Sequence, residues 1–249
     1  MIYIKSRTEI ECMREAGKIA AGARELAGSL CKPGISTLEI DKKVYAYITR
    51  YKATPSFLNY GGFPNSVCAS VNDVVIHGIP NGVKLKEGDI LSIDVGACYK
   101  GFHGDCADTF PVGEISDEAK KLIEVTRQSF YEGLRHAVAG KRIGDISSAI
   151  GLYAKSFGYG VVDKYVGHGI GRELHEDPPV PNFGRAGHGI LLRDGMALAV
   201  EPMINGGSPD VYVDKDGWTV HTVDGALSAH YENTIIIMGG EPIITTVAQ

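Results

Sequence analysis

The sequence predicts an α+β protein made of two related halves. Three observations carry that prediction: helix-like and strand-like segments follow one another in two successive cycles, the cycles slide onto each other at an offset of 106 to 107 residues, and isolated carboxylates recur in or at the ends of apolar strands. With 249 residues the chain is long enough to bury a sizeable core, and 44% apolar against 22% charged residues places it among ordinary globular proteins.

The first cycle opens with Thr8-Glu9-Ile10-Glu11, which has the form of a capping box: a hydroxyl and a carboxylate three residues apart satisfy each other's backbone N–H groups. Ile10, Met13, Ala16, Ala20 and Ala23 then recur at helical spacing, predicting a long helix up to Leu30. After Lys32-Pro33-Gly34, Ser36-Thr37-Leu38-Glu39 repeats the capping pattern and opens a second helix through about Tyr51. Asp89 to Val95 and His103 to Phe110 read as β-strands of a hairpin that turns near Tyr99-Lys100-Gly101.

In the second cycle, Ser116 to Ala139 is helical in pattern and Gly144-Asp145-Ile146 opens another helix to about Phe157. Strand-like segments follow at Met196 to Glu201 and Ala229 to Met238. A slide of 107 lays Gly88 and Asp94 over Gly195 and Glu201; a slide of 106 lays Gly34, Glu39 and Ile40 over Gly140, Asp145 and Ile146. His77-Gly78-Ile79 and His168-Gly169-Ile170 match at an offset of 91. We therefore expect one domain over 1–249, with pseudo-equivalent halves of roughly 1–110 and 111–249 facing each other across a two-fold axis. A site on that axis draws ligands from both halves.

Bulk properties narrow the function. The net charge of −5 leaves no basic footprint for nucleic acid, and no apolar run approaches the roughly 20 residues that cross a bilayer. Met1 to Arg7 has no secretory-signal pattern, and the five cysteines (Cys12, Cys31, Cys68, Cys98, Cys106) are widely spaced without a CxxC. Neither a disulfide framework nor a zinc-thiolate site is expected, and a reducing cytoplasm is. The lack of a coiled-coil repeat makes a monomer the expected state.

The carboxylates call for a cation. A two-residue loop at Tyr99-Lys100 pairs residue i with 199 − i and sets Asp94 opposite Asp105, with Cβ atoms roughly 5 Å apart, where like charges destabilise a sheet unless neutralised. Glu201 ends an apolar strand, and Glu232 is expected to share a strand face with Ser228, His230 and Thr234. Isolated buried carboxylates need a partner, a shifted pKa or a metal. His168 lies in Gly167-His168-Gly169-Ile170-Gly171, where the glycines are expected to let the backbone bend tightly around the imidazole. Singly, each of these residues is more often a solvated or capping group; the set is what points to a metal site.

Ile93-Asp94-Val95-Gly96, Gly104-Asp105-Cys106-Ala107-Asp108-Thr109, Gly167-His168-Gly169-Ile170-Gly171, Glu201-Pro202 and His230-Tyr231-Glu232 together resemble the type I methionine aminopeptidases of the pita-bread metallopeptidase fold. The five motifs stand in the family's order and span essentially the whole chain. The resemblance implies a curved antiparallel sheet covered by helices. It also implies two divalent metal ions (Co, Mn, Fe or Zn) held by Asp94, Asp105, His168, Glu201 and Glu232, with Asp105 and Glu232 bridging. Charge counting agrees, since four carboxylates balance two dications, and oxygen ligands with one imidazole suit such metals.

By the same resemblance, His175 hydrogen-bonds the substrate carbonyl oxygen, His77 contacts the scissile amide nitrogen, and Glu201 shuttles the proton. Phe57, Tyr60, Phe63, Cys68 and Trp218 wall the methionine pocket. Leu174 stands where many relatives carry an aromatic, and Phe57 where some carry cysteine. The implied substrates are peptides and nascent polypeptides with N-terminal methionine and a small second residue, met at the ribosome. The minimal bacterial-type form is expected, because the chain has no extension before the catalytic pattern and no room for the type II insertion. Two rivals remain. Xaa-Pro aminopeptidases and prolidases share all five ligands but usually carry an extra N-terminal domain, for which the roughly ninety residues before Asp94 leave no space. Non-catalytic pita-bread modules usually lose ligands.

Overall fold

A computed structural model describes residues 1–248. Its four helices are α1 (Arg7–Leu30), α2 (Thr37–Arg50), α3 (Asp117–Leu134) and α4 (Ile143–Lys155), and they combine with antiparallel sheets in the predicted α+β class. α1 begins two residues earlier than expected. Ser6, in an extended conformation, is its N-cap: Glu9 N–H donates to Ser6 Oγ, and Ser6 N–H donates to Glu9 Oε2 at 2.9 Å. The reciprocal box is therefore Ser6 with Glu9 rather than Thr8 with Glu11, and Thr8 lies inside the first turn. The box on α2 is Ser36 with Glu39, as predicted, and such caps contribute about 1 kcal/mol each.

The strands of the first half are β1 (Thr54–Pro55), β2 (Cys68–Val71), β3 (Val74–Ile76), β4 (Ile90–Tyr99) and β5 (Phe102–Pro111). In the second half come β6 (Gly160–Val161), β7 (Gly167–Gly169), β8 (Glu176–Val180), β9 (Ala197–Val200) and β10 (Met203–Asn205). They are followed by β11 (Val211–Val213), β12 (Val220–Thr222), β13 (Ser228–His230), β14 (Glu232–Ile236) and β15 (Ile243–Ile244). One large sheet runs β1-β4-β5-β14-β9-β7-β8, with β2 also on β4 and β15 on β14. Two three-stranded sheets, β13-β10-β6 and β11-β12-β3, flank it.

The hairpin register differs from the expected one by two residues. Tyr99 pairs with Phe102, so the two-residue turn is Lys100-Gly101, both with positive φ (51° and 76°). Those signs match the right-handed strand twist, and glycine in the second position admits them at low cost. Asp94 is consequently opposite Ala107, and Asp105 opposite Gly96. Because a shift of two preserves the face, the two carboxylates still point to the same side, now as diagonal neighbours.

The other face of the hairpin packs on helices. Leu91, Ile93, Val95 and Ala97 of β4 join Ile19, Ala20, Ala23, Ala27, Ile40, Val44 and Ile48 of α1 and α2 in one buried cluster. α1 comes close enough that a Cβ on Gly104 would lie 2.6 Å from Gly17 N. In the second half, Phe130, Ile143, Ile146 and Ile150 of α3 and α4 cover Leu198, Val200 and Ile235 of β9 and β14. Each helix pair thus buries one stretch of the sheet and leaves Asp94, Asp105 and Glu232 on the opposite face.

Positions that slide onto one another in sequence share local conformation. Gly34 and Gly140 have φ of 88° and 90°, and Gly88 and Gly195 have φ of 91° and 84°. Asp145 accepts from Arg142 N at 2.8 Å at the start of α4, as Glu39 accepts from Ser36 N at the start of α2. The expected strand from Ala229 to Met238 divides at Tyr231. β13 pairs with β10 in a small sheet and β14 with β5 and β9 in the large one, so Ser228 and His230 do not lie on the strand that carries Glu232.

Candidate metal centre and its pocket

β5 and β14 are hydrogen-bonded neighbours, with Glu232 paired to Ala107 and Asn233 to Cys106. Asp105 and Glu232 are both almost fully buried. Thr234 Oγ1 fastens this junction, accepting from Asp105 N at 3.0 Å and donating to Asp105 O at 2.9 Å. On the next strand, β2 pairs Cys68 with Asp94 and so turns the thiol to the same face. β9 delivers Glu201 just beyond its end, and β7 carries His168 beside it, with Nε2 3.5 Å from Glu201 Oε1.

The glycines around His168 act differently from the expected tight bend. Gly167, Gly169 and Gly171 have no positive φ. They serve close approach instead: a Cβ on Gly167 would lie 2.4 Å from Ala199 O, and one on Gly169 would lie 2.1 Å from Asp177 O. β7 is squeezed between β8 and β9, and only glycine fits there. His168 Nδ1–H donates to Gly169 O at 2.9 Å, which leaves the Nε2 lone pair facing the carboxylates.

Asp94 Oδ1, Asp105 Oδ1 and Glu232 Oε1 are buried with no hydrogen-bond partner among the described residues. One ligand atom each from Asp105, His168 and Glu232 lie within 4.8 Å of one another. Burial pushes all four carboxyls up: Asp94, Glu201 and Glu232 rise well above their usual range, each further raised by the neighbouring Asp105, while Asp105 itself reaches about 7. Burial drives the imidazoles the other way, His168 to about 3 and His77 to about 4. Neutral imidazole with clustered oxygens is a donor set suited to divalent cations, and the orphaned oxygens fit such ions.

All the residues expected in the site line one cavity of about 150 Å³: Phe57, Tyr60, Phe63, Cys68, His77, Asp94, Asp105, His168, His175, Glu201, Trp218 and Glu232, with Gly61 and Leu174 added. Phe63 meets Trp218 edge-on at 5.3 Å, and Leu174 is buried in the same apolar cluster as Phe57, Phe63 and Cys68. Gly96 makes room for this wall, since a Cβ there would come within 2.9 Å of the Phe57 ring. A larger groove of about 480 Å³ beside α1, lined by Tyr47, Tyr51 and Tyr99, includes none of the metal-candidate residues.

His175 Nδ1 lies 2.7 Å from Tyr60 Oη. Burial, followed by the charge of nearby His103, lowers its pKa and favours the neutral imidazole; in the tautomer whose Nδ1 accepts from the phenol O–H, the Nε2–H is free to donate into the cavity. His77 takes a left-handed φ of 58°, uncommon for a side chain of its size. Two residues outside the expected set also reach the centre. Buried His230 has an unpartnered Nε2 3.8 Å from Glu201 Oε2, and Asn182 Nδ2 donates to Glu201 O at 2.9 Å. His230 was visible in His230-Tyr231-Glu232, but no sequence spacing placed Asn182 there.

Comparison with known proteins identifies the family. Residues 11–238 match metallopeptidase family M24. The methionine aminopeptidase of Clostridium acetobutylicum is 52% identical over 250 residues, covering 100% of both chains. The crystal structure of methionine aminopeptidase from Rickettsia prowazekii superposes with a TM-score of 0.98 at 42% identity, covering 99% of this chain and 100% of that one. An Xaa-Pro dipeptidase from Bacillus anthracis, 26% identical, gives a TM-score of 0.79 and covers 99% of this chain but 62% of that one. The family match and the end-to-end likeness lead to one placement: this chain belongs to metallopeptidase family M24, where it groups with the methionine aminopeptidases.

Proposed function

We propose that the protein hydrolyses the peptide bond after an N-terminal methionine, and that Asp94, Asp105, His168, Glu201 and Glu232 would hold the two divalent ions the reaction uses. The observation that carries this reading is the trio of orphaned, buried carboxylate oxygens at the base of an aromatic, sulfur-lined cavity. Such ions, whether Mn, Fe, Co or Zn, supply water activation near neutral pH and polarisation of the scissile carbonyl.

The remaining work falls to the chain's own groups. Glu201 takes the proton of the attacking water and passes it to the leaving amine. His175, held by Tyr60, donates from Nε2 to the carbonyl oxygen as negative charge develops there. His77, kept neutral by burial, hydrogen-bonds around the scissile nitrogen. Phe57, Phe63, Cys68, Leu174 and Trp218 receive the methionine side chain, whose thioether packs well against ring edges. The apolar wall of this cavity suits an unbranched thioether side chain. The likeness to methionine aminopeptidases supports substrates with a small second residue, nascent chains at the ribosome among them.

The test is release of free methionine from Met-Ala-Ser by metal-free protein titrated with Mn²⁺, Fe²⁺ or Co²⁺, beside Glu201→Gln. Release should depend on metal and fall by two orders of magnitude or more in the variant, a loss typical of a missing general base. Folded protein that releases no methionine with any metal overturns the proposal. Cleavage of Xaa-Pro peptides in preference to Met-Ala-Ser would replace it with the dipeptidase reading.

A further inference from the structure

His175 sits on a short loop, Ile170 to His175, between β7 and β8, and that loop is held from outside the cavity by Glu176, the first residue of β8. The Glu176 carboxylate makes its contacts in two directions. Oε1 accepts from Arg172 N at 2.9 Å and Glu173 N at 3.3 Å, closing the loop on itself. Oε2 forms an ion pair with Lys5 Nζ, and the two side chains are only 4% and 5% exposed. Lys5 is in turn fixed by its own backbone, whose N–H donates to Gly195 O at 2.7 Å just ahead of β9. The loop rests on the lysine stem: a Cβ on Gly171 would lie 2.4 Å from Lys5 Cε and 2.7 Å from Glu176 Oε1.

A charge pair buried this deeply is costly unless its geometry is satisfied, and a hydrophobic pair of similar volume would often serve stability as well. What the ion pair adds is direction. It ties the segment before α1 to a loop whose other product, one residue away, is the placement of His175 toward the cavity. Neither Lys5 nor Glu176 lines that cavity.

We propose that Lys5 and Glu176 are positioning residues for the hydrolysis: their buried ion pair sets the loop that aims His175 at the substrate carbonyl oxygen. The inference rests on the role assigned to His175 in the preceding reading. Lys5 acts through His175 and not through the metal ions, so its loss lowers kcat while KM and metal affinity stay nearly unchanged.

The test is a cycle built from Lys5→Met/Glu176→Gln and His175→Ala. Replacing both charged partners leaves no unpaired charge in the loop, which keeps the fold. In the background with His175, the paired substitution should lower kcat at least tenfold, with KM for Met-Ala-Ser and the Mn²⁺ affinity each within about twofold. In the His175→Ala background it should lower kcat no further, because two changes that act through one group are not additive. Equal losses in both backgrounds, or no loss in the first, overturn the proposal. If His175→Ala alone leaves kcat intact, the role of His175 fails, and with it the premise of this inference. A marked loss from His175→Ala with none from the paired substitution refutes the Lys5–Glu176 proposal alone.

Discussion

Asp94 and Asp105 stand on two ten-residue strands joined by a two-residue turn, whereas His168, Glu201 and Glu232 come from β7, the end of β9 and β14, with three, four and five residues. The first pair is positioned locally. A continuous ladder from Ile90–Pro111 to Tyr99–Phe102 sets both carboxylates by pairing alone. The second group is positioned by proximity between distant segments: β7 must press between β8 and β9, and β14 between β9 and β5. A locally paired site tolerates a change in its turn, while one built from short strands depends on every close contact between them.

Gly169→Ala should break that contrast most severely. Its Cβ would meet backbone atoms of Asp177 at 2.1 and 2.6 Å, which cannot move aside as a side chain would. We expect a stability loss of about 3 kcal/mol or more, the scale of overpacking or buried backbone disruption, and a fall in activity beyond about a hundredfold as His168 is displaced. Near-normal urea unfolding and near-normal activity would show that β7 has more room than its contacts imply.

The next effect concerns charge. Without metal, the raised carboxyl pKa values of Asp94, Asp105, Glu201 and Glu232 mean that the folded state keeps protons the unfolded chain has released. That contribution is present at low pH and is lost as pH rises through the folded values. The lowered pKa values of His77, His168 and His230 act oppositely, but only below the unfolded histidine value near 6.5. Between about pH 6.5 and 7.5, below the range in which unfolded thiols ionise, the carboxyls dominate, so metal-free protein should lose up to about 1.4 kcal/mol per pH unit for each net proton. Thermal midpoints at about pH 6.5 and 7.5 should therefore separate, and saturating Mn²⁺ should bring them together. A flat metal-free profile would mean that the cluster relaxes and ionises without metal.

Gly101→Ala should have the smallest effect and sharpen the comparison from the other side. Its φ of 76° penalises any side chain, yet nothing lies within 4 Å of the added Cβ. A cost of about 1–2 kcal/mol with activity within threefold is expected from urea titration and the Met-Ala-Ser assay. A large activity loss would show that the hairpin turn, and not only its ladder, sets Asp94 and Asp105.

The same contrast explains what could be read in the sequence. The helices were legible because capping boxes and helical spacing are local signals; Ser6 displaced Thr8 as N-cap only because both have a Glu three residues on. The hairpin turn was misplaced because Tyr99-Lys100-Gly101 offers two two-residue frames, and the positive φ of Gly101 selects one of them. Both frames leave the two aspartates on one face, so the expectation of a shared charge site survived the wrong register. The break at Tyr231 was hidden because no glycine or proline marks it between Ala226 and Met238. The Tyr60–His175 and Lys5–Glu176 contacts join residues 115 and 171 positions apart, beyond the reach of any periodicity. The five candidate ligands were legible as motifs, and the structure brings them to one cavity.

The seam between β5 and β14 has a consequence for the life of the protein in a cell. Asp105 and Glu232 bring two buried carboxyls to adjoining strands, so without a cation the seam must hold its protons or repel itself, and a cation bound there would tie the strands together. A ligand bound only by the folded state removes opened molecules by mass action, and opened molecules are the ones proteases degrade. Scarcity of divalent cations would then shorten the lifetime of the chain as well as silence it, and its abundance would follow metal supply without any dedicated regulator.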